Sequence, residues 1–270
     1  MTGLFETHAH LTDERYREDL SDVLDRAVKS GVSHLIVASA DIEESDRAVR
    51  LVAETKVEGI ELYAMVGVHP HSASEYDDTA ESILRDHLSN ARERRIVALG
   101  EIGLDYHYDL SPRDVQREVF RRQLALAFAM DLPIVLHERE ATADTLEILR
   151  DFSMRGQLRK VPGVCHCFSG SEESAAILLA LGFYLGFDGP ITFKNARKSP
   201  DVIRMTPVDR LLTETDCPYL TPEPFRGKRN EPSYVSYIVA KMAEFKGIQP
   251  EEMARISAEN AFRLFFSSGK

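Results

Sequence analysis

Residues 3–38 read GLFETHAH (3–10), LTDERYREDLSDVLDRAVKSG (11–31) and VSHLIVA (32–38). An apolar run, a charged amphipathic stretch and a β-branched run follow in that order. This is the pattern of a strand, a crossover helix and a parallel strand. It recurs along the chain. Strands are expected at 3–8, 33–38, 60–67, 95–100, 133–137, 161–166, 183–187 and 210–214. Helical patterns lie between most of them, at 13–29, 42–55, 78–93, 112–130, 140–153 and 172–181. Two more helices, roughly 233–246 and 250–266, follow a proline-rich loop at 216–232. Strand ends return every 21 to 37 residues, and eight such units make the (β/α)8 TIM barrel count. A doubly wound sheet would more often carry a Gly-rich phosphate loop after its first strand, and none follows here. No linker, low-complexity tract or repeat divides the sequence, so residues 1–270 read as one domain. Gly31 and Gly182 look like helix stops, and Ser111-Pro112 like an N-cap followed by Pro at the first helical position.

Composition narrows the function classes. A charged content of 29% against 43% hydrophobic describes an ordinary globular protein, with no apolar run of membrane-span length. The N-terminus shows no basic segment followed by an apolar core, so cytoplasmic residence is expected, and a monomer with it. The three cysteines, Cys165, Cys167 and Cys217, argue against a disulfide framework. Cys165 and Cys167 read as strand-end packing around His166. A net charge of -11 disfavours sequence-independent binding to a long duplex. It leaves room for a local contact with a nucleic-acid end, and acid clusters suit a site that concentrates divalent cations.

The polar residues then fall on this frame in a pattern. In an extended strand His8 and His10 face the same way, and two imidazoles on one face can grip a divalent metal. His69 follows strand 3, Glu101 ends strand 4, His137 ends strand 5, His166 ends strand 6 and Asp216 follows strand 8. In a parallel barrel all seven lie at the C-terminal mouth, where active sites form. Histidine and carboxylate ligands without clustered thiolates suit Zn, Mn, Co or Mg. Glu101 is the carboxylate central in strand order and has two oxygens. It can join two metals, with His8, His10 and Asp216 on one side and His137 and His166 on the other. Such a pair polarises a phosphoryl group and activates water. His34 is expected to be packed in mid-strand and His87 exposed on a helix. For His71 and His107, in rim loops, supporting or substrate roles stay open.

The chain resembles the TatD-related metal-dependent deoxyribonucleases, within the amidohydrolase-like barrels. The stretches that carry the resemblance begin with Thr7-His8-Ala9-His10-Leu11, Gly67-Val68-His69-Pro70 and Gly100-Glu101-Ile102-Gly103-Leu104-Asp105-Tyr106. Pro133-Ile134-Val135-Leu136-His137, His166-Cys167-Phe168-Ser169-Gly170 and Thr192-Phe193-Lys194-Asn195-Ala196 come next. Glu214-Thr215-Asp216-Cys217-Pro218-Tyr219-Leu220, Arg226-Gly227-Lys228-Arg229-Asn230-Glu231-Pro232 and Glu259-Asn260-Ala261 complete them. The resemblance implies metal ligation by His8, His10, Glu101, His137, His166 and Asp216, with Asp216 also taking a proton from the attacking water. It implies a phosphate contact by His69 and two divalent ions, Mg, Mn or Zn. The implied activity is hydrolysis of DNA phosphodiesters, 3′–5′, on single strands or 3′ ends. Two departures stand out: Glu6 where the family usually has Asp, and Glu138-Arg139-Glu140 where it often has Ser-Arg-Asp. The basic loop Arg226, Lys228 and Arg229 is expected to dock phosphate above the mouth. The alternative is a hydrolase of the same barrel acting on a C–N or carboxylic ester bond, such as an aminoacyl-nucleic acid deacylase.

Overall fold

The computed structural model describes residues 3–267. Eight parallel strands form one sheet in sequence order: β1 (Leu4–Ala9), β2 (Val32–Val37), β3 (Glu61–Val66), β4 (Ile96–Asp105), β5 (Ile134–Arg139), β6 (Gly163–Cys165), β7 (Tyr184–Phe187) and β8 (Leu211–Thr213). The segment beyond β8 returns to β1. Ala9 bridges Cys217, Asp216 N–H donates to His8 O at 3.0 Å, and His10 N–H donates to Cys217 O at 2.8 Å. The sheet thereby curls into a nearly closed barrel, as the alternation of elements predicts.

The helices are α1 (Leu20–Lys29), α2 (Ile42–Glu54), α3 (Asp78–Ser89), α4 (Arg113–Ala129), α5 (Thr142–Met154), α6 (Glu172–Ala180), α7 (Ser199–Met205), α8 (Val235–Lys246) and α9 (Pro250–Phe266). Helical spacing explains their placement. In α1, Val23, Leu24 and Ala27 share one buried face, while Asp22, Asp25 and Lys29 face water. A separate core fills the barrel with residues from every strand: Phe5, Ile36, Met65, Val97 and Ala98, Val135, Val164, Tyr184 and Leu212. Ala258, Ala261, Leu264 and Phe265 of α9 join it, and Phe5, at the start of β1, packs on Phe262 and Phe265. Helix α9 therefore plugs the N-terminal end of the barrel, leaving the C-terminal mouth as the open one.

Several expectations need correction. The helix expected over 13–29 is a 3-10 turn at Glu14–Tyr16 followed by α1. The break follows from Tyr16, which is buried and donates its hydroxyl to Asn230 O at 2.6 Å. Helix α7 lies in a stretch that carried no expected element. Ser111 does not cap α4: Pro112 holds the cap position, and the Ser111 hydroxyl donates to His71 O. His87 is buried against Asp46 and Arg94 rather than exposed. His34 is packed as expected, stacked on Phe5. Strand β4 runs to Asp105, five residues past its expected end, because Ile102, Gly103, Leu104 and Asp105 keep pairing with Leu136 to Arg139 of β5.

Candidate metal centre

β1 delivers His8 and His10 to the mouth on one face, with their Nε2 atoms 3.2 Å apart. Glu101 projects from within β4 and is 3% exposed. Its two oxygens face different partners. Oε1 lies 2.7 Å from His137 Nδ1 and 2.7 Å from His166 Nε2. Oε2 lies 3.4 Å from His8 Nε2 and 3.8 Å from His10 Nε2. Asp216 Oδ1 completes the second group, 3.7 Å from His8 Nε2 and 3.4 Å from His10 Nε2. Asp216 reaches this point through a left-handed backbone (φ 53°), a conformation Asp tolerates better than most residues.

The fit of this donor set to a metal can be tested on its edges. Four N or O ligands at about 2.1 Å from a tetrahedral ion lie about 3.4 Å from one another. The contacts among His8, His10, Glu101 and Asp216 run from 3.2 to 3.8 Å. These are ligand edges more than hydrogen bonds, and the residues fit a divalent ion. On the other side, His137 Nδ1 and His166 Nε2 are 3.4 Å apart, and both contact Glu101 Oε1 at hydrogen-bond length. Burial works against charge on Glu101, and the surrounding histidines, His166 foremost, together overcome it, holding the carboxyl well below the usual carboxylate range. Burial also works against charge on His166, but Glu101 lifts it well above an ordinary histidine.

His69 sits beside this set, with Nε2 3.4 Å from Glu101 Oε1. Its Nδ1 accepts the His71 backbone N–H at 3.1 Å, so in the neutral ring the proton is on Nε2. Burial, with the His137 charge next, lowers its pKa to about 4. His69 therefore presents an N–H donor, suited to a substrate oxygen rather than to a metal.

A second layer orients these groups, and sequence reading passed over most of it. Asp105, buried, accepts the backbone N–H groups of His107 (3.0 Å) and Tyr108 (2.8 Å) on Oδ1. Its Oδ2 meets the ring Nε2 of both His71 and His137 at 3.0 Å. With Nε2–H directed at Asp105, a neutral His137 would offer Nδ1 as the unprotonated donor that a cation needs. Glu6 accepts the N–H groups of His8 and Thr215, both at 3.0 Å, tying β1 to the segment that carries Asp216. Glu214, buried below the floor, accepts the Cys167 N–H and lies 3.6 Å from His166 Nδ1. Asp105 had a legible signal: Glu101, Gly103 and Asp105 alternate with the buried Ile102 and Leu104, which is strand periodicity carried past the expected end. His71 joins this layer, while His107 pairs with Glu140 at the rim.

A cavity of about 520 Å³ stands over the centre. His10, His69, Glu101, His137, His166 and Asp216 line it. Arg226, Lys228 and Arg229 do not. Arg229 is forked to Asp19 at 2.8 and 2.6 Å and covers the Tyr16 ring, and Arg226 covers Phe193. Among the described residues, the arginine in the cavity wall is Arg139, at the end of β5.

The family model for TatD related DNase matches residues 5–266. An uncharacterised metal-dependent hydrolase of Bacillus subtilis is 47% identical over 262 residues, covering 97% of this chain and 98% of that protein. A protein of Cronobacter sakazakii named 3′-5′ ssDNA/RNA exonuclease TatD is 34% identical over 273 residues, with 98% of each covered. Among solved structures, a TatD homologue from Escherichia coli K12 superposes with a TM-score of 0.89 at 31% identity, covering 98% of both chains. No helix among the described residues is long and apolar enough to cross a membrane. The matches span the histidines and carboxylates of the mouth as well as the barrel beneath them, and the chain belongs to the TatD-related DNase family of metal-dependent hydrolases.

Proposed function

We propose that this hydrolase cleaves phosphodiester bonds of DNA, working from 3′ ends of single strands, with two divalent cations. The observation that carries the reading is the division of Glu101: one oxygen toward His137 and His166, the other toward His8 and His10. His8, His10 and Asp216 would hold one cation, and His137 and His166 the other, with Glu101 shared. Such ions polarise a phosphoryl oxygen, lower the pKa of water and stabilise a leaving oxygen. Asp216 takes the proton from the attacking water, since its carboxylate lies at the open side of the His8–His10 pair. His69 donates its Nε2–H to a phosphate oxygen. The single-stranded 3′ preference is supported by the Cronobacter relative, named a 3′-5′ ssDNA/RNA exonuclease. Mg, Mn and Zn all suit this donor set.

The test combines elemental analysis with assays on 3′-blocked, 5′-blocked and unblocked oligonucleotides, and on small amides and carboxylic esters. Two bound ions, loss of activity on chelation and protection by the 3′ block are expected. Turnover of amides or esters with no cleavage of any oligonucleotide would overturn the reading in favour of C–N or carboxylic ester chemistry.

A further inference from the structure

Two exposed tyrosines stand in the wall of the cavity. Tyr108 follows β4 and is 54% exposed, and Tyr219 follows β8 and is 47% exposed. In a barrel of eight strands in sequence order, β4 and β8 are half a turn apart, so the two tyrosines line the cavity from opposite sides. Each is held by the site itself. Tyr108 N–H donates to Asp105 Oδ1 at 2.8 Å, and Tyr219 N–H donates to Asp216 O at 2.9 Å. Each also carries a guanidinium over its ring, Arg139 at 4.8 Å from the Tyr108 centroid and Arg15 at 4.4 Å from that of Tyr219. Their ring contacts with histidines are nearly perpendicular: Tyr108 with His71 and His107, Tyr219 with His10. Arg15 is forked to Asp13, whereas Arg139 makes no ion pair among the described residues.

Single exposed tyrosines need no explanation. Two of them, anchored to site residues, backed by arginines and opposed across one cavity, make a specific arrangement. We propose that Tyr108 and Tyr219 are stacking platforms for the two nucleobases that flank the scissile phosphate, one on each wall of the mouth. This rests on the phosphodiesterase reading and sharpens its substrate class. Aromatic faces hold bases without regard to sequence, and arginine adds a cation–π contribution. Neighbouring bases in a duplex stay stacked about 3.4 Å apart. They cannot reach opposite walls, so the substrate is a strand whose flanking bases are splayed, whatever their identity. Arg139, unpaired beside Tyr108, is placed for the phosphate between them.

The test uses the metal-loaded, full-length protein and single-stranded oligonucleotides with an abasic residue at the terminal position, the penultimate position, or both. In wild type each missing base should raise KM about tenfold, the scale of one base–aromatic stack. Tyr108→Leu should erase the penalty at one position and Tyr219→Leu the penalty at the other. Unchanged wild-type KM on the doubly abasic strand would overturn the platforms while leaving the nuclease intact. Variants that keep both penalties would overturn them too. Failure to cleave natural and abasic strands alike would instead remove the phosphodiesterase reading on which the platforms rest. The wild-type comparison requires no variant to fold.

Discussion

Asp105→Asn should weaken one metal position and spare the other. The orientation of the new amide is fixed by its surroundings. Two backbone N–H groups, of His107 and Tyr108, converge on Oδ1 at 3.0 and 2.8 Å and require an acceptor. The amide oxygen must stay there, so the NH2 group takes the place of Oδ2, 3.0 Å from Nε2 of both His71 and His137. His137 must then offer Nε2 as an acceptor and carry its proton on Nδ1. That proton points at Glu101 Oε1, 2.7 Å away, where a cation would have to sit. Restoring the ligand tautomer sets two N–H groups against each other and loses a hydrogen bond to a charged group, about 1.5–3 kcal/mol. At 1.4 kcal/mol per factor of ten, affinity at the His137–His166 position should fall roughly 10- to 150-fold. His8, His10 and Asp216 do not touch Asp105, so their cation should stay. Calorimetric titration of the metal-free protein should show two events in wild type and one displaced event in the variant. Two unshifted events would refute the tautomer argument. Loss of both together would mean that Asp105 supports the fold of the mouth rather than His137.

Asp216→Asn should retain bound metal and lose roughly 100-fold or more in single-turnover rate, the size of a general-base contribution; near-normal turnover would leave Asp216 as a turn residue. Arg139→Ala should raise KM for DNA and reduce the salt slope by about one phosphate contact. Arg229→Ala should leave that slope alone and lower the melting temperature by a few degrees, since its half-exposed pair with Asp19 is worth about 1 kcal/mol; equal slopes for the two variants would contradict this division. Burial, ahead of other causes, raises the Glu6 carboxyl well above its ordinary value. Its contribution to stability is therefore full below the unfolded pKa and lost as pH rises through the folded one. Glu6→Gln cannot ionise, so the metal-free variant should gain melting temperature relative to wild type as pH rises; a pH-independent difference would sink the idea.

The fold was legible because the barrel repeats one simple signal. Each β-branched run, each charged amphipathic stretch and each turn glycine points to the same answer. The polar cluster at the mouth was legible for a related reason: histidines and carboxylates at the ends of buried strands are out of place unless they meet one another. What stayed hidden is what depends on partners distant in sequence. The Tyr16 hydroxyl bonds Asn230 across the fold and interrupts the helix expected over 13–29. His87 has a helical position that looks solvent-facing, yet Asp46 and Arg94 enclose it. Asp105 lies five residues past the expected end of its strand, signalled in sequence only by its alternation with Ile102 and Leu104. Its role appears only when β4 is seen to continue beside β5.

Charge shows the same difference between neighbours in sequence and neighbours in space. Arg226, Lys228 and Arg229 form the densest basic run near the site, with no acidic residue between them. In the fold Asp19 takes Arg229, and Phe193 lies under Arg226. Arg139 looks the opposite, flanked by Glu138 and Glu140 as if neutralised on both sides. Yet Glu138 Oε1 accepts the Ala141 N–H at 2.8 Å and the Thr142 hydroxyl at 3.0 Å, at the start of α5. Glu140 pairs with His107 at 2.7 Å. Both carboxylates are thus drawn to other partners, and the arginine between them is left facing the cavity. On the phosphodiesterase reading proposed above, a phosphate arriving at the mouth would meet Arg139 before any residue of the basic loop, and the Glu138 and Glu140 departures from the family pattern would leave that encounter open.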